Sequence, residues 1–310
     1  MKIGFFGTPE IAAYYLNMLH GKHEIVFAVT GEDKPKGRHG TPVFNEVKNA
    51  AVENDIPVLQ PAKLLDNDFL KSIGNLKADI FVVVAYGKLI PPEIFTMPSL
   101  KTVNVHPSLL PKYRGAAPIQ WALINGESET GVTIQYINEK LDAGDILTQK
   151  RIPLNTDISA DDLTKIVLPV GLELLLEALA QLQSGKAMPV KQIEAEATYC
   201  GKINKETARI NWSTGAEKIH NLVRGLNPKP TAWTMFREKN IKIYKTKIAP
   251  DYKDAGLKQG YLKIIGKKLF VGTGNNILEL LEVQPETKKV MNAASFINGY
   301  RLSDEDHFGS

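Results

Sequence analysis

The sequence predicts an α/β protein in which a Rossmann-like domain with a mostly parallel sheet precedes a small C-terminal β-barrel of the OB-like type. Strand and helix patterns alternate through residues 1–182, as they do in successive βαβ units. Short strand patterns then follow one another between residues 231 and 283. The charge also divides: residues 201–310 hold 19 Lys and Arg against 11 Asp and Glu, a net +8, whereas residues 1–200 hold 19 against 23, a net −4.

The first part of the chain is predicted element by element. An apolar strand over 2–7 leads into a helix over 9–20 with Pro9 in its first turn, where a backbone N–H is not needed. The strand predicted over 78–86 contains an unbroken apolar run over 80–86, which is typical of a strand buried on both faces. The other predicted elements are strands over 24–30, 56–59 (an edge strand or plain extended chain, because it contains Pro57), 101–106 and 131–137, and helices over 43–54, 116–124 and 159–182.

Residues 184–198 lose this periodicity and are rich in Ser, Gly, Lys, Pro and Gln, which predicts a linker. We therefore expect a Rossmann-like domain over 1–188, a linker over 189–204 and a second domain over 205–310. The elements predicted in the second domain are a helix over 216–226, strands over 231–236, 241–248, 260–265, 268–273 and 277–283, and a closing helix over 293–301.

The composition of the 310 residues excludes several classes of protein. No apolar run approaches the ~20 residues that span a bilayer, and the N-terminus lacks the pattern of a signal peptide. Cys200 is the single cysteine, so no disulfide framework is expected and a reducing compartment, the cytoplasm, is indicated. The basic second part suits a polyanionic partner, although chance clustering of solvated lysines explains it equally well.

The first glycine-containing loop, GFFGTP over 4–9, lies where a dinucleotide fingerprint would stand. It has no third glycine, and Pro9 occupies the turn, so nicotinamide dinucleotide chemistry is disfavoured. A strand-to-helix turn of this kind can hold an anion, and a tight turn without a ligand fits the pattern equally well.

The candidate catalytic residues lie at the end of the strand predicted over 101–106. Asn104 and His106 are two residues apart, so both side chains lie on one face of the strand. In an open α/β sheet, ligands bind beyond the carboxyl ends of the strands. An amide donor can stabilise an oxyanion, and an imidazole can move a proton near neutral pH, a pair that suits acyl transfer. Asn-x-His alone is a weak signal, but three prolines stiffen the loop over 107–118.

A carboxylate, Asp142, follows the strand over 131–137 in a glycine-containing loop. Beside His106 it would orient the ring and favour its charged form, whereas a turn aspartate that bonds its own backbone is the alternative. No Ser or Cys stands in a strained strand-to-helix turn, and clustered His and carboxylates are too few for a metal site. Once nucleophilic and metal-dependent catalysis are disfavoured, direct transfer of an activated acyl group to an amine is the remaining type of reaction.

The segment NVHPSLLPKYRG over 104–115, together with LDAG over 141–144, resembles the folate-dependent formyltransferase superfamily. Residues 86–91, 115–120 and 199–233 resemble the methionyl-tRNA formyltransferases within it, and the resemblance covers essentially the whole chain. Pro107, directly after His106, is instead similar to the purine-pathway branch, which would need neither a second domain nor a basic loop.

The resemblance implies 10-formyltetrahydrofolate as the formyl donor and initiator methionyl-tRNA as the acceptor, with no metal, no membrane and a monomeric enzyme. The catalytic residues of the family fall on Asn104, His106 and Asp142. Its folate pocket falls on Tyr86, Gly87, Leu89, Ile90, Ser108, Leu109, Leu110, Pro111 and Asn138, with a cis Leu110–Pro111 bond.

Contacts with tRNA are implied at two places. The loop over 32–40 resembles an insertion loop of the family that enters the acceptor stem, and its basic residues are Lys34, Lys36 and Arg38. In the second domain, the residues expected to follow phosphates are Lys205, Arg209, Lys242, Lys245 and Lys247, with Lys263 as a further candidate. Such contacts position an RNA rather than read its sequence, and they weaken with salt.

Three alternatives stay open from the sequence. A sugar-nucleotide N-formyltransferase would use the same Asn, His and Asp with another acceptor, but it would not predict a second part at +8. A folate- or nucleotide-sensing, RNA-binding protein without turnover would have no use for all three residues. A dehydrogenase is disfavoured by the first loop.

Overall fold

The computed structural model describes residues 1–36, 41–249 and 256–309, which form two compact units. The first unit consists of Met1–Ala116, Gly131–Ile152 and Ile166–Tyr199, and the second of Ala117–Thr130, Pro153–Lys165 and Cys200–Ser310. Two short segments that precede residue 166, Ala117–Thr130 and Pro153–Lys165, therefore belong to the second unit. The boundaries expected at 188 and 205 stay a prediction.

Strands and helices are numbered separately, in chain order. The strands are β1 (Lys2–Gly7), β2 (Glu24–Val29), β3 (Lys34–Lys36), β4 (Thr41–Val43), β5 (Val58–Leu59), β6 (Ile80–Val84), β7 (Thr102–His106), β8 (Arg114–Gly115), β9 (Glu129–Tyr136), β10 (Ile146–Pro153), β11 (Tyr199–Cys200), β12 (Ala232–Phe236), β13 (Lys239–Ile248), β14 (Leu262–Ile265), β15 (Lys268–Gly272), β16 (Ile277–Pro285), β17 (Met291–Asn292) and β18 (Phe308–Gly309). The helices are α1 (Glu10–His20), α2 (Glu46–Glu53), α3 (Asn67–Asn75), α4 (Pro92–Phe95), α5 (Pro118–Ile124), α6 (Ala160–Gln183), α7 (Ala216–Leu226) and α8 (Ala293–Tyr300). Within the described ranges, no helix combines the length and the apolar character that crossing a membrane requires.

The first unit is built on a seven-stranded sheet in the order β10-β9-β7-β6-β1-β2-β5. Parallel pairing joins β1 with β2 and β6, β6 with β7, and β2 with β5, so the predicted Rossmann-like sheet is confirmed. β5 lies at the edge, as Pro57 predicted. β9 runs antiparallel to β7, with Asn104 opposite Gln135 and His106 opposite Thr133. The end of β9 therefore lies beside the start of β7.

Close packing accounts for the two glycines of β1. A Cβ on Gly4 would overlap the ring of Phe27, and a Cβ on Gly7 would lie 2.5 Å from the Cβ of Ala12. Both approaches are far closer than van der Waals contact, so neither position accepts a side chain without displacing its neighbours. The glycines of the first loop thus bring strand, sheet and helix together and need no ligand to explain them.

The second unit is an antiparallel sheet in the order β14-β15-β16-β13-β12-β18, with β17 beside β16. The sheet curls until its two edges meet, since Phe308 N donates to Gly260 O at 2.8 Å and Leu262 N donates to Asp306 O at 3.0 Å. All five strands predicted for this part of the chain are present, β17 and β18 are additional, and the predicted curled, barrel-like sheet is confirmed.

Helix α7 buries two basic side chains within the second unit. Arg224 donates to Asn155 O at 3.2 Å, and His220 Nε2 donates to Thr156 O at 3.0 Å. His220 Nδ1 accepts from the hydroxyl of Thr246 at 2.9 Å. Burial lowers the pKa of His220, so its ring is neutral at neutral pH, with one nitrogen donating and the other accepting.

Candidate active site

The structure brings the three predicted catalytic side chains together in the first unit. Asp142 Oδ1 lies 3.5 Å from Asn104 Nδ2 and 3.7 Å from His106 Nδ1. His106 is buried, and 13% of the Asp142 side chain is exposed. Both distances exceed those of a strong hydrogen bond, as is common before a substrate is bound. Across the described residues, no group of three or more His, Cys, Asp and Glu is placed to hold a metal ion.

One nitrogen of His106 is held by the backbone. Nε2 lies 2.9 Å from the carbonyl oxygen of Tyr113. Because a carbonyl can only accept, Nε2 carries a hydrogen in both the neutral and the charged ring. The proton that the ring gains or loses therefore belongs to Nδ1, the nitrogen that faces Asp142.

Donors hold both oxygens of Asp142. Oδ2 accepts from Gly115 N at 2.8 Å, and Oδ1 accepts from Gln135 Nε2 at 3.2 Å. Asp142 has φ +50°, and a Cβ on Gly144 would overlap the carbonyl oxygen of Tyr136. The glycine lets the loop double back tightly over the end of β9. This turn is why Asp142 reaches Asn104 and His106 although β9 runs in the opposite direction to β7.

Sequence reasoning missed the polar residues behind Asp142. Gln192 Nε2 donates to the carbonyl oxygens of Asp142 at 3.0 Å and Gly144 at 2.8 Å, and to Gln135 Oε1 at 3.1 Å. Gln192 Oε1 accepts from the fully buried Arg114. In β9, apolar and polar residues alternate over 132–135 and all four are buried, so the alternation gave no signal for Gln135. Nothing local marked Gln192, which lies in the segment predicted as a linker.

The residues predicted to bind folate fall into two groups by exposure. Buried or half-buried are Tyr86, Ile90, Ser108, Leu109, Leu110 and Pro111, and exposed are Gly87, Leu89 and Asn138. Ser108 Oγ donates to Lys112 O at 2.7 Å, and Leu110 O accepts from Gln149 Nε2 at 3.0 Å. These two residues therefore use their polar atoms to shape the loop after β7. The expected cis bond at Leu110–Pro111 is confirmed.

Tyr86 differs from the other predicted folate residues. Its phenol oxygen is buried and has no hydrogen-bond partner in the part of the chain that the structure describes. Burial raises the pKa of Tyr86 to about 12, so the hydroxyl stays protonated and can donate. In the same short loop, Gly87 has φ +80° with open space beside it, and Leu89 is 76% exposed. An unpaired hydroxyl in a loop with exposed apolar surface fits a heteroaromatic ligand.

The basic residues predicted to contact tRNA are divided between the units. Lys34 and Lys36 lie in β3 of the first unit. Arg38 lies outside the described residues. The second unit holds Lys205, Arg209, Lys242, Lys245 and Lys247.

Two of these side chains lie near one aromatic ring, and a third belongs to the cross-strand position beside it. Lys205 Nζ lies 5.2 Å and the Arg209 guanidinium 5.6 Å from the ring centroid of Trp233. Lys242 is the cross-strand partner of Trp233 on β13. Trp233 is half-buried, and its Nε1 donates to Lys205 O at 2.8 Å. The structure thus places an oriented indole near two cations, with a third at the adjacent cross-strand position.

The other two lysines lie beside acidic partners. Lys245 is paired across the sheet with Glu282, and Lys247 with Glu279. Opposite charges at cross-strand positions partly cancel each other. The five predicted contacts therefore do not form one uniform basic surface.

Comparison with known proteins identifies both parts of the chain. Residues 1–179 match the family Formyl transferase, and residues 202–301 match Formyl transferase, C-terminal domain. The chain is similar to the methionyl-tRNA formyltransferase of Thermodesulfovibrio yellowstonii, with 42% identity over 97% of this chain and 96% of the relative. It is also similar to that of Clostridioides difficile, with 41% identity over 96% of this chain and 97% of the relative.

Solved structures share the fold at lower identity. An N-formyltransferase from Helicobacter canadensis, solved with folinic acid and dTDP-3-aminofucose, aligns with a TM-score of 0.68 at 20% identity, covering 92% of this chain and 99% of that chain. HypX from Aquifex aeolicus, solved with tetrahydrofolic acid, aligns with a TM-score of 0.66 at 18% identity, covering 100% of this chain and 51% of that chain. These likenesses show the fold alone.

Proposed function

The chain belongs to the methionyl-tRNA formyltransferase family, and we propose that it moves the formyl group of 10-formyltetrahydrofolate to the amine of initiator methionyl-tRNA through Asn104, His106 and Asp142. The observation that carries the chemistry is the cluster of these three side chains around Asp142 Oδ1. The full-length identity of 41% and 42% to named relatives supports the acceptor. The monomeric state and the cytoplasmic location stay predictions.

The reaction forms one bond and breaks another at the formyl carbon. The amine nitrogen attacks that carbon, the bond from the carbon to the folate nitrogen breaks, and one proton passes from the amine to the departing nitrogen. The carbon is tetrahedral in between, and its oxygen carries negative charge. Asn104 Nδ2 and the charged His106, through Nδ1–H, are the donors that stabilise this oxygen.

Asp142 faces the nitrogen of His106 that donates to the formyl oxygen. Its two oxygens accept from Gly115 N, Gln135 Nε2 and Asn104 Nδ2, a set of donors that an ionised carboxylate satisfies best. His106 Nε2 is committed to Tyr113 O, so Nδ1–H is the group left to donate to the formyl oxygen. Because that nitrogen already carries a hydrogen, the Asp142 carboxylate takes the proton that leaves the amine and passes it to the departing folate nitrogen.

We propose that the formyl donor binds at the loops after β6 and β7. Tyr86 offers a protonated, unpaired hydroxyl, and Leu89 offers exposed apolar surface. A pterin ring has both polar edges and an aromatic face, so these residues fit it. A folate-derived donor agrees with membership of the formyl transferase family.

We propose that the acceptor tRNA binds to the second unit at Trp233. An indole near two cations, with a third at the adjacent cross-strand position, suits a nucleic acid, because the cations attract phosphates and the ring stacks on bases. Lys242 extends this surface along β13. The contacts of Arg38 expected in the loop over 32–40 stay a prediction.

The test is a formyl-transfer assay with the full chain and 10-formyltetrahydrofolate. Initiator methionyl-tRNA, elongator methionyl-tRNA and an amino-sugar nucleotide are supplied in separate reactions, with the His106→Ala variant as the blank. We expect formylmethionyl-tRNA from the initiator and no formylated sugar. Turnover of the amino sugar with neither tRNA formylated would overturn the proposal and favour the sugar N-formyltransferases that share the fold.

A further inference from the structure

We propose that Arg114, Gln192 and Gln135 form a relay of hydrogen bonds that positions Asp142 for catalysis. The relay consists of one guanidinium followed by two oriented amides. The proposal rests on the proposed role of Asp142. None of the three side chains is among the residues that the sequence assigns to catalysis, folate or tRNA. Gln192 is bonded to the backbone of Asp142 and Gln135 to its carboxylate. They are therefore positioning residues.

The direction of every hydrogen bond in the relay follows from Arg114, which can only donate. Its Nε and Nη2 donate to Gln192 Oε1 at 3.1 Å and 2.9 Å. The amide nitrogen of Gln192 must then face away from Arg114, towards Gln135 Oε1 at 3.1 Å. This contact turns Gln135 Nε2 towards Asp142 Oδ1 at 3.2 Å. A flipped Gln135 amide would instead place its oxygen against the carboxylate.

Arg114 is a fixed starting point for the relay. It is fully buried, and Glu194 accepts from its Nη1 at 3.1 Å and from its Nη2 at 3.0 Å. Nη1 also donates to the hydroxyl of Tyr199 at 3.1 Å. A guanidinium held in this bidentate way has one orientation, so it imposes one orientation on Gln192.

Gln192 also holds the backbone on both sides of Ala143. Its Nε2 donates to Asp142 O at 3.0 Å and to Gly144 O at 2.8 Å. The backbone of Asp142 is at φ +50°, a conformation that is uncommon for residues with a side chain, although aspartate adopts it more readily than most. The bonds from Gln192 hold the backbone in this conformation. They thereby set the distance between the Asp142 carboxylate and His106 Nδ1.

Two variants of Gln192 test the proposal. Gln192→Met keeps the length of the side chain and removes both the donor and the acceptor. Gln192→Glu keeps an acceptor for Arg114, and so preserves that buried pair, but loses the donor to the loop. We expect both to lower kcat by about 10- to 100-fold, the scale of lost alignment, with KM for each substrate changed less than about 3-fold. Lys191→Gln, at an exposed neighbouring position, is the matched control and should keep the parental kcat.

The same substitutions in an Asp142→Ala background separate positioning from a general effect on folding. With no carboxylate left to position, Gln192→Met should change the residual single-turnover rate by less than about 2-fold. Parental kcat in both single variants would overturn the proposal. An equal loss of rate from Gln192→Met in the parent and in the Asp142→Ala background would also overturn the proposal. If Asp142→Ala alone kept the parental kcat, the proposed catalytic role of Asp142 would fail instead.

Discussion

Replacing Asp142 by asparagine changes the side chain little in size, yet the structure predicts a severe loss of function. Oδ2 accepts from Gly115 N at 2.8 Å, and Oδ1 accepts from Gln135 Nε2 at 3.2 Å. An amide has one oxygen and one NH₂ group. Whichever way it is turned in Asp142→Asn, its NH₂ group faces a donor that Asp142 now satisfies. The substitution also removes the charge that faces His106 Nδ1.

The expected losses of stability and of kcat follow from these contacts. A hydrogen bond to a charged acceptor contributes about 1.5–3 kcal/mol, and a donor left without an acceptor costs about 1–3 kcal/mol. We therefore expect the free energy of unfolding to fall by about 1–3 kcal/mol, since Asp142 is partly open to water. Loss of the carboxylate that supports proton transfer should lower kcat by about 10²- to 10⁴-fold.

The assay is single-turnover formylation of initiator methionyl-tRNA at saturating folate donor, with unfolding followed by chemical denaturation. Glu139→Gln is the matched control, because Glu139 is an exposed carboxylate of the same loop that makes no hydrogen bond to any described residue. It should match the parent in both measurements. A kcat for Asp142→Asn within about 3-fold of the parent would refute the reasoning, because donors and charge would then not matter at this position.

The remaining predictions concern other parts of the molecule. His106→Ala should lower kcat by at least ~10²-fold, and near-parental turnover would remove His106 from the mechanism. Lys242→Ala should raise KM for tRNA and reduce the slope of log KM against log salt by about 1. Lys247→Ala should change both quantities less, because Glu279 lies opposite Lys247, and equal effects of the two substitutions would contradict this. Burial lowers the pKa of His220 in the folded chain below 6.5, so the unfolded chain binds a proton at this ring at a higher pH than the folded chain does. The free energy of unfolding therefore falls as pH drops below 6.5, by up to ~1.4 kcal/mol per pH unit. Chemical denaturation between pH 7 and 5 should show a shallower fall for His220→Gln, and identical curves would refute it.

Charge is distributed less simply than the sequence alone indicates. The basic second part has a net charge of +8, but Lys245 and Lys247 are paired across the sheet with Glu282 and Glu279. The position that faces Trp233 on β13 is instead held by a cation, Lys242. A net charge therefore indicates the class of partner, and the pairing within the sheet indicates where on the surface that partner binds.

Much of the fold could be predicted because its signals are local. The apolar runs at β1 and β6 and the helical spacing at α1 and α7 mark strands and helices whose hydrophobic periodicity matches their burial. β10 was not predicted, because it is an edge strand with three successive exposed residues that interrupt the alternation. α3 was not predicted either: it has nine residues and buries two apolar side chains, Phe69 and Ile73.

The sequence by itself determined which side chains stand at the end of β7 and in the loop of Asp142, since a spacing of two residues and a glycine turn are local properties. Only the tertiary structure decided the direction of β9. It alone placed Gln192 behind Asp142, through a hydrogen bond that spans 50 residues, and oriented Gln135 from Arg114. The physical reason is that periodicity records which face of an element is buried, whereas the partner of a buried polar group depends on which distant segments pack together.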